Sequence, residues 1–410
     1  MPRLRKIVRF GLPCILPVAL GVLLALIELR LKKTPTAPPK PDVVWVFAPQ
    51  HPGAMVSSPL VAKGRVFAGI IRENGLHPEG VVYALDVESG KRQWQSDADG
   101  SMIHLYSSPC LADDLLYVGE GMHANFDCKL SCLDARTGQT RWRFGAASHI
   151  ESSPCVDGDR VFVGAGDDGV YALDSHRGEK LWQFNDRLHI DASPAVATGR
   201  VFIGSGLSRR FRANEILALA ADSGKPIWRV TVDLPAWGSP VVTGDQVFFG
   251  LGNGRLDHSD PSPAGAVICV SVATGHENWR CRVPDAVLAR VAVDDRRVYF
   301  GCRDELVYAV DRNTGNMSWR YQAGSAVVTT PTLADGRLYV AASGGRIACL
   351  DAESGREIAV FDLAEYAKTK CRVWSSPSVR ADGDGRHRLY IGAELQYPDH
   401  GEANLLCIRF

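Results

Sequence analysis

An all-β chain, folded as an eight-bladed β-propeller of four-stranded blades, is what this sequence predicts, and three observations predict it. One phrase, apolar-Tyr-Ala-Leu-Asp-x-x-[Ser/Thr]-Gly-x-x-x-Trp, recurs along the chain. A second, Ser-Ser-Pro followed by Gly-x-apolar-aromatic-apolar-Gly, alternates with it. Forty Gly and 23 Pro, spread beside many Val and Tyr, call for short strands and frequent turns rather than long helices.

The chain has 410 residues, 46% of them hydrophobic and 22% charged, which excludes disorder. Its zero net charge hides an asymmetry. Residues 1–33 carry seven Lys/Arg and one Glu, leaving 39 basic and 45 acidic groups beyond them. An acidic body lacks the basic stripe that displaces counterions, so no nucleic-acid partner is expected.

The order of elements begins with an apolar run, Phe10 to Ile27, long enough to span a bilayer as a helix and kinked at Pro13 and Pro17. Residues 1–33 are therefore expected to be a signal-anchor, because no small-x-small cleavage site follows directly; if the segment is removed, the rest is secreted. Residues 34–41 read as an extended Pro-rich linker. Both outcomes place residues 42–410 outside the cytoplasm, in the periplasm or an equivalent space.

The first phrase runs from Val82 through Asp86 and Gly90 to Trp94, then from Leu130 to Trp142, Val170 to Trp182, Ile216 to Trp228, Val267 to Trp279, Val307 to Trp319 and Ile347 to Ala359. In that last copy the Trp is lost and Phe361 is expected to stand in. The prolines of the second phrase are Pro59, Pro109, Pro154, Pro194, Pro240, Pro331 and Pro377, with Arg290 assigned to the proline slot of the sixth copy. Four strands repeating every 40 to 51 residues, judged by Trp spacing, make a propeller blade. The aspartates Asp86, Asp134, Asp174, Asp311 and Asp351 are placed to accept from turn N–H groups, and the Gly supplies positive φ. The tryptophans offer large apolar faces between blades. Asp42 to Phe47 carries Trp45 with no blade before it, and the last unit stops after its third strand. The two segments are expected to close the ring together, removing two sheet edges.

Seven copies of the Gly-to-Trp phrase between Asp42 and Phe410 resemble the PQQ-type, quinoprotein-dehydrogenase-like eight-bladed propellers, a family that includes the outer-membrane assembly lipoprotein of the Bam complex. The resemblance implies the fold; the repeats build a scaffold and not an active site. Quinone-dependent dehydrogenases of similar fold are larger chains with an adjacent Cys-Cys disulfide against the quinone and a calcium site beside a catalytic Asp. No two of the 11 cysteines are adjacent here.

The repeat also assigns the cysteines. Cys132, Cys269, Cys349 and Cys407 take the slot of Ala84, Ala172, Ala218 and Ala309. Cys110 and Cys155 follow the proline, Cys281 replaces Phe144 or Phe184, and Cys302 replaces Ala165. These eight read as small core residues. Cys128 and Cys371 fall outside the repeat core. Cys128 and Cys132 are about 13 Å apart along a strand, too far to bridge, so free thiols are expected.

Length variation concentrates on one face of the ring, in the insertions Ile70–Gly80, Glu120–Cys128, Leu207–Glu215, Leu251–Ala266 and Ala393–Asn404, each between second and third strands. Such loops carry recognition. Eight of the 11 histidines lie in loops of that face: His51, His77, His104, His123, His149, His189, His258 and His400. His104, His149 and His189 each stand five residues before a Ser-Pro proline, and Glu151 and Asp191 stand three before it. Equal offsets put them on one arc of the funnel mouth as solvent-facing rim residues, where they would bind a divalent metal or an anionic or sugar-like ligand, or else secure strand starts. Trp237 and Trp374 share the slot of Glu151 and would stack a sugar or peptide, or wedge between blades. The expected function is a non-catalytic, membrane-anchored envelope propeller, a monomer that binds a protein, peptide or glycan and needs no cofactor. The alternative is a quinone- or metal-dependent oxidoreductase using the His-rich face.

Overall fold

The computed structural model describes residues 40–49, 52–73, 78–122, 127–397 and 401–410. The apolar run, most of the Pro-rich segment, and His51, His77, His123 and His400 lie outside the described residues. Among the described residues no helix is long and apolar enough to cross a membrane.

Eight antiparallel sheets form the eight blades. In blade three the strands are Cys155–Asp157, Arg160–Gly164, Val170–Asp174 and Lys180–Phe184, each paired with the next. Its two middle strands read as continuous apolar runs, Val161-Phe162-Val163 and Val170-Tyr171-Ala172-Leu173, and every one of these residues is buried. A strand covered on both faces needs no polar alternation, and the neighbouring blades supply the cover. Each of the eight apolar clusters accordingly joins residues of two adjacent blades. The innermost strands of most neighbouring blades touch one another along the axis.

Tryptophans staple one blade to the next. Trp94 pairs with Ala84 in its own sheet, packs its ring 5.9 Å from Phe67, and donates Nε1–H to the carbonyl of Ala135 at 3.1 Å. Its ring lies on Gly138, where φ is +76° and a Cβ would come within 2.6 Å of Cε3; only Gly fits both demands. The same bond recurs from Trp142 to Ser175, Trp182 to Ala221, Trp228 to Val272, Trp279 to Arg312 and Trp319 to Ala352. The turn aspartates behave as expected of their residue type. Asp134 Oδ1 accepts from the amides of Arg136 and Thr137, both at 2.9 Å, and Asp86, Asp174, Asp311 and Asp351 bind their turns likewise.

The ring closes through Asp42–Phe47, which pairs with Gly401–Arg409. Trp45 sits opposite Cys407, as Trp94 sits opposite Ala84, and donates to Val87 of blade one at 3.3 Å. Asp42 accepts from Arg386 and Arg409, each at 2.9 Å. Blades one and eight gain a fifth short strand, Gly53–Ala54 and Lys370–Arg372, where lengthened second strands offer an edge. A single helical turn, Leu363–Ala367, capped by Asp362, precedes blade eight.

Two sequence assignments are corrected. Ala359, not Phe361, occupies the tryptophan slot of blade seven, since it pairs with Cys349 while Phe361 pairs with Ile347, the register of Phe144 and Phe184. Tyr339, the ring such a tryptophan would pack on, is met edge-on by His387 and Phe410, each with its ring centroid 5.6 Å away. Arg290 is not in the proline slot. Ala292 pairs with Tyr299 as Cys155 pairs with Phe162, so Val291 matches the proline and Arg290 matches the second Ser. Blade six lacks the proline that marks the register elsewhere.

Candidate functional site

The loops between blades and the turns between second and third strands meet on one face, because isolated bridges join Leu105 to Gly121, Gly166 to Ile190 and His189 to Gly206. Backbone bonds fix each histidine-bearing loop. The carbonyl of His104 accepts from Gly121 at 2.7 Å, Ile150 N–H donates to Glu120 at 2.8 Å, and the carbonyl of His189 accepts from Gly206 at 2.8 Å. Asp168 anchors the blade-three turn by accepting from Ala147 N–H at 3.0 Å.

These constraints bring His149, His189 and Asp191 together between blades three and four. His149 Nε2 is 3.0 Å from Asp191 Oδ1, and His189 Nε2 is 2.8 Å from Asp191 Oδ2. The imidazole centroids are 5.4 Å apart. Each outer nitrogen has its own partner: Ser148 Oγ lies 3.3 Å from His149 Nδ1, and Asp167 Oδ1 lies 2.7 Å from His189 Nδ1. One donor atom from each of His149, His189 and Asp191 lies within 4.8 Å of the others. His104 and Glu151 are not members of that set, and His123 lies outside the described residues.

Depth is where the structure departs from the sequence reading. His149 is 3% exposed and His189 is 1% exposed, so neither is a solvent-facing rim residue. Gly166 lies over His149, with a Cβ there only 2.6 Å from Cε1. Trp237 stands edge-on to His189, at 6.4 Å and 83°, and rests on Gly206, whose Cβ would strike the indole at 2.1 Å. His104 and Glu151 are half-buried. Burial raises the phenol pKa of Tyr106, and the charges of Glu151 and Glu394 raise it further; the funnel is acidic there. Trp374 is half-buried with the Arg372 guanidinium 5.9 Å over its ring.

Ser148, His149 and Asp191 have the composition of a nucleophile relay. The chemistry does not follow, because Ser148 is buried under Gly166 and Asp191 is shared with a second histidine. Asp167 was not singled out by the sequence. Its signal was the tight Gly166-Asp167-Asp168-Gly169 turn on the histidine face.

The ten described cysteines are free thiols. Burial pushes Cys110, Cys128, Cys269 and Cys371 up to about 11.

The family model described as outer membrane protein assembly factor BamB matches residues 42–124, 78–192, 187–260 and 263–388. No curated protein matches the chain. Among solved structures, BamB from Moraxella catarrhalis is similar at 18% identity and a TM-score of 0.63, over 90% of this chain and 98% of that one. A quinohemoprotein alcohol dehydrogenase, ADHIIG of Pseudomonas putida HK5, is similar at 14% identity and a TM-score of 0.65, over 90% of this chain and 76% of that one. The computationally designed Ika8 protein is similar at 14% identity and a TM-score of 0.65, over 88% and 98%. A designed chain, a dehydrogenase and an assembly factor share the architecture equally, so the likeness carries the fold and leaves function to the residues.

Proposed function

The chain belongs to the family of the outer membrane protein assembly factor BamB, and from that premise we propose that it is a non-catalytic propeller of the cell envelope that docks a protein or peptide partner on its funnel face. The family match across residues 42–388 carries this reading. It is supported by the anchor-like segment 1–33 and its spacer, which would hold the ring close to a membrane, and by the half-buried Trp237 and Trp374. Indoles on a rigid ring bind extended segments at low entropic cost. A glycan is a second occupant that the same indoles would stack. Dehydrogenases of this architecture motivate the alternative of a quinone- or metal-dependent oxidoreductase, but no adjacent cysteine pair is present in the sequence.

The test uses the full chain in its native membrane. A photo-crosslinking residue at Trp237 or Trp374 should give a discrete adduct with an envelope protein, and one at the exposed His176, in the turn between third and fourth strands on the opposite face, should not. Saturable binding of PQQ with calcium by the purified protein, together with dye-linked alcohol oxidation, would replace the scaffold reading with the oxidoreductase.

A further inference from the structure

We infer that His149, His189 and Asp191 form a zinc site built into the interface of blades three and four. The inference does not depend on what the funnel face binds.

Convergence is the first reason. Both Nε2 atoms address one carboxylate, at 3.0 and 2.8 Å, each on a different oxygen. Two imidazole nitrogens and one carboxylate are the donors of a three-ligand zinc site, whose fourth position goes to water or an incoming group. Calcium and magnesium prefer all-oxygen cages, so the nitrogen pair selects a transition ion.

The outer nitrogens are the second reason. Metal-binding histidines donate the opposite N–H to a carboxylate, carbonyl or water, which fixes ring and tautomer. Asp167 Oδ1 does this for His189 at 2.7 Å, and Ser148 Oγ lies 3.3 Å from His149 Nδ1. Asp167 itself is held on the Gly166–Gly169 turn, whose backbone pairs reciprocally with Ile190, at 3.0 and 2.9 Å.

Charge supplies the third reason. His189 lies between two carboxylates, Asp167 on Nδ1 and Asp191 on Nε2. With zinc on Nε2 the ring stays neutral and keeps its Nδ1–H for Asp167. The two carboxylates then balance a divalent cation, which meets the demand that buried charge be compensated. His149 and His189, 3% and 1% exposed, keep the site out of bulk water.

The experiment strips the full chain in detergent with a chelator and titrates it with cobalt(II), whose visible spectrum reports tetrahedral nitrogen–oxygen ligation. One equivalent should saturate, zinc should displace it, and zinc should raise the Tm. Asp191→Asn should abolish the spectrum. Asp167→Asn, which leaves all three ligands in place, should weaken binding by about 10–100-fold. His258→Ala, at an exposed imidazole, should change nothing. The inference is overturned if the folded wild-type chain shows no saturable cobalt spectrum, if Asp191→Asn binds like wild type, or if His258→Ala removes the signal. Should Asp191→Asn fail to fold, the wild-type titration and the Asp167→Asn shift decide.

Discussion

The indole nitrogen of Trp319 donates to the carbonyl of Ala352 at 3.1 Å, and there the series of inter-blade staples stops. The next slot holds Ala359, and the space beside Tyr339 is filled from blade eight by His387 and Phe410. His387 is itself held by Tyr339 Oη at 2.7 Å and Asp335 at 2.9 Å. Seven interfaces are thus fastened by an indole and one by a polar relay.

Removing a staple should be costly. Trp228→Ala empties a buried site and should destabilise by about 3–5 kcal/mol, the range for Trp truncation in cores. Gly275→Ala should also destabilise, because φ is +73° and the new Cβ would lie 2.7 Å from the Trp228 ring. Ala359→Trp should lower rather than raise the Tm, since Phe410 and His387 already occupy the space. Thermal melts of the three variants check this; a gain from Ala359→Trp would show that the seventh interface is merely underfilled.

Closure gives the second expectation. Deleting Asp42–Phe47 removes Trp45 and exposes the edge of Gly401–Arg409, which should lower the Tm markedly and promote association through the open edge. Size-exclusion chromatography with melting would detect both effects. An unchanged monomer with an unchanged Tm would mean the strand adds nothing to the ring.

Acid should loosen the turns. The Arg141 hydrogen bond, with the turn amides, holds the Asp134 carboxyl down to about 2, and the Ser89, Thr314 and Ser354 hydroxyls hold Asp86, Asp311 and Asp351 below the usual range. A depressed folded pKa contributes stability that is complete above the unfolded value near 3.8 and is lost as pH falls toward about 2. Asp86, Asp311 and Asp351 are partly exposed, so each contributes modestly, while Asp134 is buried beneath its turn. Denaturant midpoints between pH 5 and 2 should fall, and Asp134→Asn should flatten part of that slope.

Thiol reactivity should be low in the folded state. Burial pushes Cys132 and Cys407 up to about 12, so at neutral pH almost no thiolate is present to react. Titration with an aromatic disulfide should therefore be slow before unfolding and rapid after it. Fast native reaction of several thiols would contradict the packing assigned to them.

The repeat was legible because each residue in it performs local chemistry: Asp caps its own turn, Gly supplies the φ, and Trp marks the outer strand. Partnerships across loops were less so. Equal offsets from the proline aligned His149 and His189, but depth depends on Gly166 lying over His149 and on the backbone bridge from His189 to Gly206 beneath Trp237. Asp167 meets His189 from 22 residues away, with no periodic signal to announce it. Arg290 was misplaced by one residue because blade six carries Val291 where a proline would have fixed the register.

Arg290 leads to the last expectation. Around the channel the amide of each second hydroxyl residue donates to the next blade's hydroxyl: Ser376 to Ser58, Ser58 to Ser108, Ser108 to Ser153, Ser153 to Ser193, Ser193 to Ser239 and Thr330 to Ser376, all at 2.8 to 3.0 Å. The chain of bonds breaks on both sides of blade six, where Arg290 replaces the hydroxyl. Burial pulls the guanidinium pKa down. Its Nε is buried without a hydrogen bond among the described residues, a cost of about 1–3 kcal/mol. Arg290→Ser should remove that cost and give Ser239 N–H an acceptor, a further gain of about 0.5–1.5 kcal/mol. Arg290→Ala should recover only the first part. Denaturant unfolding of both variants separates the terms: the Ser variant should be the most stable and wild type the least. If Arg290→Ser unfolds more easily than wild type, the arginine stem is filling the channel, and its packing outweighs the bond it displaces.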